Sequence, residues 1–197
     1  MLKTAPQSVL DTMAAAKSTL CIIGRNQKIS ALPPFAYLKN LTTFDGRPYD
    51  DIAGVGAVVG NPNTAVSEAN LLWLDTDGYT KFFFEIVTVH EMAHAIEDIG
   101  ISAEALSVAK QTFSASLAKR QSNFTKASLT PYGWQNHEEY WAVMTEARFK
   151  ATSRTDINAG ILTPQQVSGA GKLWLQISVT NIFQLFLRTY GTKSRSW

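Results

Sequence analysis

The chain has 197 residues, 45% of them hydrophobic, which suffices for one domain with a full core and is cramped for two. Its 18 basic and 16 acidic side chains leave a formal charge of +2, with neither sign gathered into a long block, which argues against nucleic acid or an anionic membrane as the main partner. The single cysteine, Cys21, excludes a disulfide framework and a cysteine-based metal site, and reads as a buried strand residue.

The first six residues lack the apolar core of a signal peptide, and no apolar run is long enough to span a bilayer, so the chain reads as soluble. A monomer is expected. Pro6 suits the first turn of a helix, and Val9, Leu10, Met13 and Ala14 recur at helical spacing, which predicts a short amphipathic helix over 5–17. A strand follows over 19–24. Residues 28–30 read as another strand, Pro33 and Pro34 interrupt, and 35–38 is ambiguous between helix and strand. The stretch 44–60 mixes turn residues with a glycine-punctuated apolar strand whose backbone is open to close approach. Residues 61–64 read as a turn and 70–74 as a compact strand.

A helix is expected over 80–99, with Phe83, Ile86, Val87, His90, His94 and Glu97 along one side and Gly100 as its stop. A second helix covers about 102–120, a polar loop 121–135, and a third helix opens at Asn136 with Tyr140, Val143, Met144 and Ala147 on its apolar side. After a loop near 163–171, residues 173–190 form a strongly apolar helix assigned to the core. The expected fold is therefore α+β: an α/β subregion to about residue 100, with a small mixed sheet, and a mainly helical remainder, together one domain over 1–197. No repeat or low-complexity segment is visible.

The chemistry concentrates in His90-Glu-Met-Ala-His94. On a helix the two histidines lie one above the other on a single face, close enough to hold one ion, with Glu91 beside them. This is the HExxH arrangement of zinc hydrolases, in which two imidazoles hold the metal and the carboxylate takes a proton from the bound water. A pair of core histidines would explain the spacing too, but a glutamate between them on an otherwise apolar helix is costly without an ion or a polar site. One zinc per chain is expected.

A catalytic zinc needs a third protein ligand. No third histidine follows soon after His94, so the ligand comes from farther along, among Glu104, His137, Glu138, Glu139 and Glu146. Glu139 is favoured because it can point inward from the first turn of the helix opening at Asn136. The same residues also fit a capping box, in which Glu139 merely satisfies the backbone at the helix start.

The run from His90 to Glu97, with the run from Ser128 to Ala142, resembles the protease domain of anthrax lethal factor and the related clostridial Pro-Pro endopeptidases. In that family a tyrosine lies seven residues before a ligating glutamate, which two aromatics and an alanine follow; the matching positions are Tyr132, Glu139, Tyr140, Trp141 and Ala142. Tyr49-Asp-Asp-Ile-Ala-Gly-Val-Gly56 is similar to the segment leading to the family's substrate-binding edge strand. The family commonly carries a second acid four positions after the ligand. Val143 stands there, so a partner that orients a ligand would have to come from elsewhere, with Glu146 and Glu97 as candidates.

The resemblance implies a zincin-like fold and a zinc-dependent endopeptidase in which His90, His94 and Glu139 hold the metal, Glu91 is the general base and Tyr132 donates to the oxyanion. It implies a peptide or protein substrate bound in extended form, added to a sheet edge near 55–59 or 71–74, with Trp134 and Tyr49 shaping its pockets and Trp73 more simply a packing residue. It also implies a protein secreted or delivered to a target cell. The alternative is a zincin-like binding or accessory module that keeps the metal without peptidase activity; Glu91 and Tyr132 argue against it, since a structural site needs neither. A thermolysin-type aminopeptidase would want an acidic patch for the substrate amine, which the sequence does not display.

Overall fold

A computed structural model describes residues 1–72, 86–124, 132–152 and 180–191. Pro6 caps helix α1, Gln7–Ala15, whose Val9 and Met13 are buried. Strand β1, Thr19–Ile23, is followed by two 3-10 turns, Ile29–Ala31 and Pro33–Leu38. The strand expected over 28–30 is thus a turn: Ser30 is held by Asp50, which accepts from its backbone N–H at 2.9 Å and from its hydroxyl at 2.8 Å. Strand β2 is only Gly54–Val55, much shorter than the apolar stretch suggested.

Strand β3, Asn63–Ser67, begins inside the turn expected over 61–64 and is the middle of the three-stranded sheet. It pairs in parallel with β1, Thr19 opposite Asn63 and Ile23 opposite Ser67, and antiparallel with β2, Gly54 opposite Val66. The sheet is therefore small and mixed, as expected. Cys21 is a strand residue as expected but only half-buried, because β1 is an edge strand buried fully at Ile23 alone.

Residues 70–71 belong to a helical turn, α2, Glu68–Leu71, not to a strand. Ser67 caps it, its hydroxyl accepting from the Asn70 N–H at 3.2 Å. The Asn70 side chain in turn accepts from the Val87 N–H at 3.0 Å, satisfying an otherwise orphaned donor at the start of the next helix. That helix, α3, is Val87–Ala95, and a π-helical turn, Ile96–Gly100, continues it. The helix expected from residue 80 thus starts only at Val87, because Ile86 before it is extended and serves as the N-cap; Phe83 and the strand residues 73–74 lie outside the described residues.

Helix α4, Ala103–Phe124, runs farther than expected. Helix α5, His137–Phe149, is buried from Glu139 through Arg148, on every face, which its central position between α3 and the last helix, α6, Thr180–Tyr190, explains. Trp141 on α5 packs edge-on against Phe186 of α6 at 4.8 Å between ring centroids. The principal core joins buried residues of α1, α3, α4, α5 and α6, and a smaller cluster under the sheet includes Ile23, Ile29, Phe35 and Ala65. Among the described residues no helix is long and apolar enough to cross a membrane.

Candidate metal centre

Helical geometry stacks His90 and His94 one turn apart on α3. Their Nε2 atoms lie 3.1 Å apart. Helix α5 is fixed against this turn by the buried Trp141 indole, whose N–H donates to the Ala93 carbonyl oxygen at 3.0 Å. That contact brings Glu139 to the same point: its Oε2 is 3.0 Å from His90 Nε2 and 3.8 Å from His94 Nε2. Two donors about 2.1 Å from a common tetrahedral centre sit about 3.4 Å from each other, so three atoms spaced 3.0, 3.1 and 3.8 Å fit a zinc-sized ion. These three are the one group of potential ligands that converges in this way among the described residues.

The capping question has a geometric answer. Asn136, the N-cap of α5, accepts from the Glu139 N–H at 2.7 Å through its side chain, while the Glu139 carboxylate turns to the histidines instead of back to the cap. Glu104 is exposed on α4 and does not line the cleft that holds the cluster. His137 and Glu138 are bonded to each other, His137 Nε2 to Glu138 Oε1 at 3.1 Å. Glu146 sits behind the cluster, its Oε1 2.5 Å from His90 Nδ1. Glu97 accompanies His137, Oε1 to Nδ1 at 3.2 Å.

Burial works against charge at His90, His94, Glu139 and Glu97, and whether the neighbours overcome it differs from group to group. Desolvation opposes charge on His90, but Glu139 and Glu146 outweigh it and push the pKa well above its ordinary value. His94, half-buried and largely desolvated beside His90, falls to about 4. Glu139 falls to about 2 in spite of burial, drawn down by hydrogen bonding and charge from His90, by His94 and by the Tyr132 hydroxyl that donates to it. Burial, with Asp98 and Glu138 nearby, raises Glu97 to about 9, so that it stays protonated at neutral pH.

The cluster lies in a cleft of about 470 Å³. Glu91 lines it from α3, and Tyr132, in the 3-10 turn Tyr132–Trp134, lines it with its ring centroid 6.1 Å from that of His90. Residues 54–58, including β2, line the cleft beside α3. Here two glycines are required: a Cβ on Gly54 would fall 2.8 Å from Glu91 Oε1, and one on Gly56 would overlap His94 Cβ. The strand can therefore run directly over the side of α3 that carries Glu91 and His94.

The structure brings His90, Glu91, His94, Tyr132 and Glu139 to one cleft, with Tyr49 on its wall. Trp134 is not there. It is 1% exposed and packs edge-on against Tyr140 at 5.0 Å, so its indole belongs to the core. Residues 71 and 72 are helix and turn, so the edge expected at 71–74 is not formed by them; Trp73 lies outside the described residues. The sequence reading saw turn residues from 44 onward but did not place the turn of residues 43–47 at the cleft, which it lines. There Thr43 bonds Asp45, Arg47 Nε donates to Asp45 Oδ2 at 2.8 Å, and Phe44 is held exposed at the cleft, 6.3 Å from Tyr132. The Asp45-Gly46 pair between two bridging residues, Thr42 and Pro48, was the signal available.

No protein-family model and no curated protein matches the chain. Among solved structures the fold is similar to that of the Pro-Pro endopeptidase PPEP-2 from Paenibacillus alvei, with a TM-score of 0.55 and 18% identity over 95% of this chain and 85% of that one.

Proposed function

We propose that the chain is a zinc-dependent endopeptidase of zincin-like fold, with His90, His94 and Glu139 as ligands, Glu91 as general base and Tyr132 as oxyanion donor. The observation that carries this reading is the convergence of the three donor atoms within 3.8 Å of one another beside Glu91, in a cleft walled by a strand. The likeness to a Pro-Pro endopeptidase supports peptide hydrolysis over other zinc chemistry. It carries no cleavage specificity to this chain.

Zinc, when bound, supplies Lewis acidity and a water whose pKa falls to about 7. Glu91, carried one residue after His90 and facing the cleft, would accept a proton from the attacking water and return it to the leaving amine. Tyr132, whose hydroxyl donates to Glu139 in the structure, would turn that hydrogen bond to the developing oxyanion; burial, with Glu139 beside it, raises its pKa and keeps the hydroxyl protonated as a donor. Because β2 is hydrogen-bonded to β3 along one side and its residues wall the cleft, an extended peptide can join it there as a further strand.

Metal analysis and peptide-library cleavage of the wild type and Glu91→Ala test the proposal. Zinc in both proteins with cleavage by the wild type alone is expected. Stoichiometric zinc without cleavage of any peptide by the wild type would favour the binding module, and absence of zinc from both would end the metalloenzyme reading.

A further inference from the structure

The His90 ring is engaged at both nitrogens, and α5 supplies a carboxylate to each. Nε2 faces Glu139 and His94, at 3.0 and 3.1 Å. Nδ1 faces Glu146 Oε1 at 2.5 Å. Glu146 is wholly buried and follows Glu139 by seven residues, almost two full turns of a helix at 3.6 residues per turn, so the two carboxylates share one face of α5. With a metal in place of the Nε2 proton, an anionic acceptor at Nδ1 would keep the remaining ring proton there and leave the Nε2 lone pair directed at the metal point.

Position 143, one turn after Glu139, is engaged otherwise. Val143 is 1% exposed and packs on Gly133, where an added Cβ would meet Val143 Cβ at 2.9 Å and both its methyl carbons at 3.0 Å. Gly133 directly follows Tyr132, so Val143 seats the turn that carries Tyr132 into the cleft. A carboxylate at 143 would lose that seat. The other acid open to this role, Glu97, is directed to His137.

We propose that Glu146 is the positioning residue of the metal centre: it fixes the tautomer and orientation of the His90 ring from behind, one helical turn beyond a position given over to seating Tyr132. This rests on the metal reading above but not on catalysis, and the readout is zinc affinity.

The test is zinc affinity of the full chain by competition with a chromophoric chelator at neutral pH, for the wild type, Glu146→Gln and Glu146→Ala. Far-UV circular dichroism and metal-free thermal unfolding check that each variant folds. The isosteric Glu146→Gln keeps the volume and one acceptor and is expected to bind zinc about 10-fold more weakly; Glu146→Ala is expected to lose about 100-fold. A purely structural role would lower the unfolding temperature while leaving the affinity of the folded variants unchanged, and that result would overturn the proposal. If neither variant folds, nitrogen-15 NMR of the zinc-loaded wild type decides: a proton on His90 Nδ1 with Nε2 on the metal supports the assignment, and the reverse tautomer overturns it. Failure of the wild type to bind zinc would sink the metal reading and this proposal together, whereas zinc binding without peptide cleavage would leave the assignment of Glu146 standing.

Discussion

Glu97 shows how a single side chain near the cluster is governed by its surroundings. It is 1% exposed, and burial with the adjacent Asp98 and Glu138 raises its pKa from the ordinary 4.5 to about 9. Burial is also the main influence lowering the pKa of His137, so Glu97 as the protonated partner donates to His137 Nδ1, and His137 Nε2–H donates to Glu138. Between pH 4.5 and about 9 the folded chain holds a proton that the unfolded chain releases, so this residue makes stability fall as pH rises through that window. Glu97→Gln, which needs no proton, should remove that part of the slope and stabilise the metal-free protein by roughly 1–3 kcal/mol at neutral pH. Urea denaturation of both proteins across that range checks it, and parallel pH slopes would show that Glu97 is ionised in the fold. The charge pattern behind this effect is invisible in the sequence. Periodicity places Glu97 on the inward side of its helix, but Glu138 reaches it only through the packing of α5.

At the scale of elements, α5 is the most legible part of the chain. Asn136 followed by an apolar period announces a capped helix, and the side chain does cap it. The central strand β3 escapes a sequence reading because Asn61-Pro62-Asn63 is turn chemistry and because a strand buried at four successive positions shows no alternation to detect. The strand expected over 70–74 fails for a different reason: Ser67 caps a short helix whose Asn70 is needed to start α3. Glycines in 54–56 predict a close approach of backbone, and the approach is to α3 itself. Gly56→Ala would drive a Cβ into His94 Cβ, an atom with no freedom to yield. The substitution should destabilise the chain by about 1–3 kcal/mol, as other overpacked sites do, and weaken zinc binding by displacing His94. Urea denaturation and chelator competition measure the two effects. Wild-type stability in the Gly56→Ala variant would mean that β2 stands farther from the helix than this packing places it.

For the molecule as a whole, the candidate ligands come from two helices, 49 residues apart between His90 and Glu139, that meet across the core. On the proposed reading, zinc binds the folded arrangement and not the unfolded chain, so metal stabilises by mass action. Free zinc at 100 times its dissociation constant should add about 2.7 kcal/mol, on the order of 5–10 °C in unfolding temperature for a chain of this size. Differential scanning calorimetry with and without chelator checks this, and a melting temperature indifferent to zinc would count against a site preformed by the fold.

By itself the sequence determined the local terms: a helix bearing two histidines and a glutamate at i, i+1 and i+4, a capped helix bearing Glu139, and a small sheet in the amino-terminal part. These rest on spacing and capping within a few residues, which a chain carries wherever it folds. Only the tertiary structure decided which carboxylate meets the histidines, which one stands behind His90, and that Trp134 serves the core and not the cleft. Those outcomes depend on how α5 is rotated and seated against α3, through the Trp141 bond to Ala93 and the Val143 contact with Gly133, and contacts between residues so far apart in the chain leave no periodicity to read.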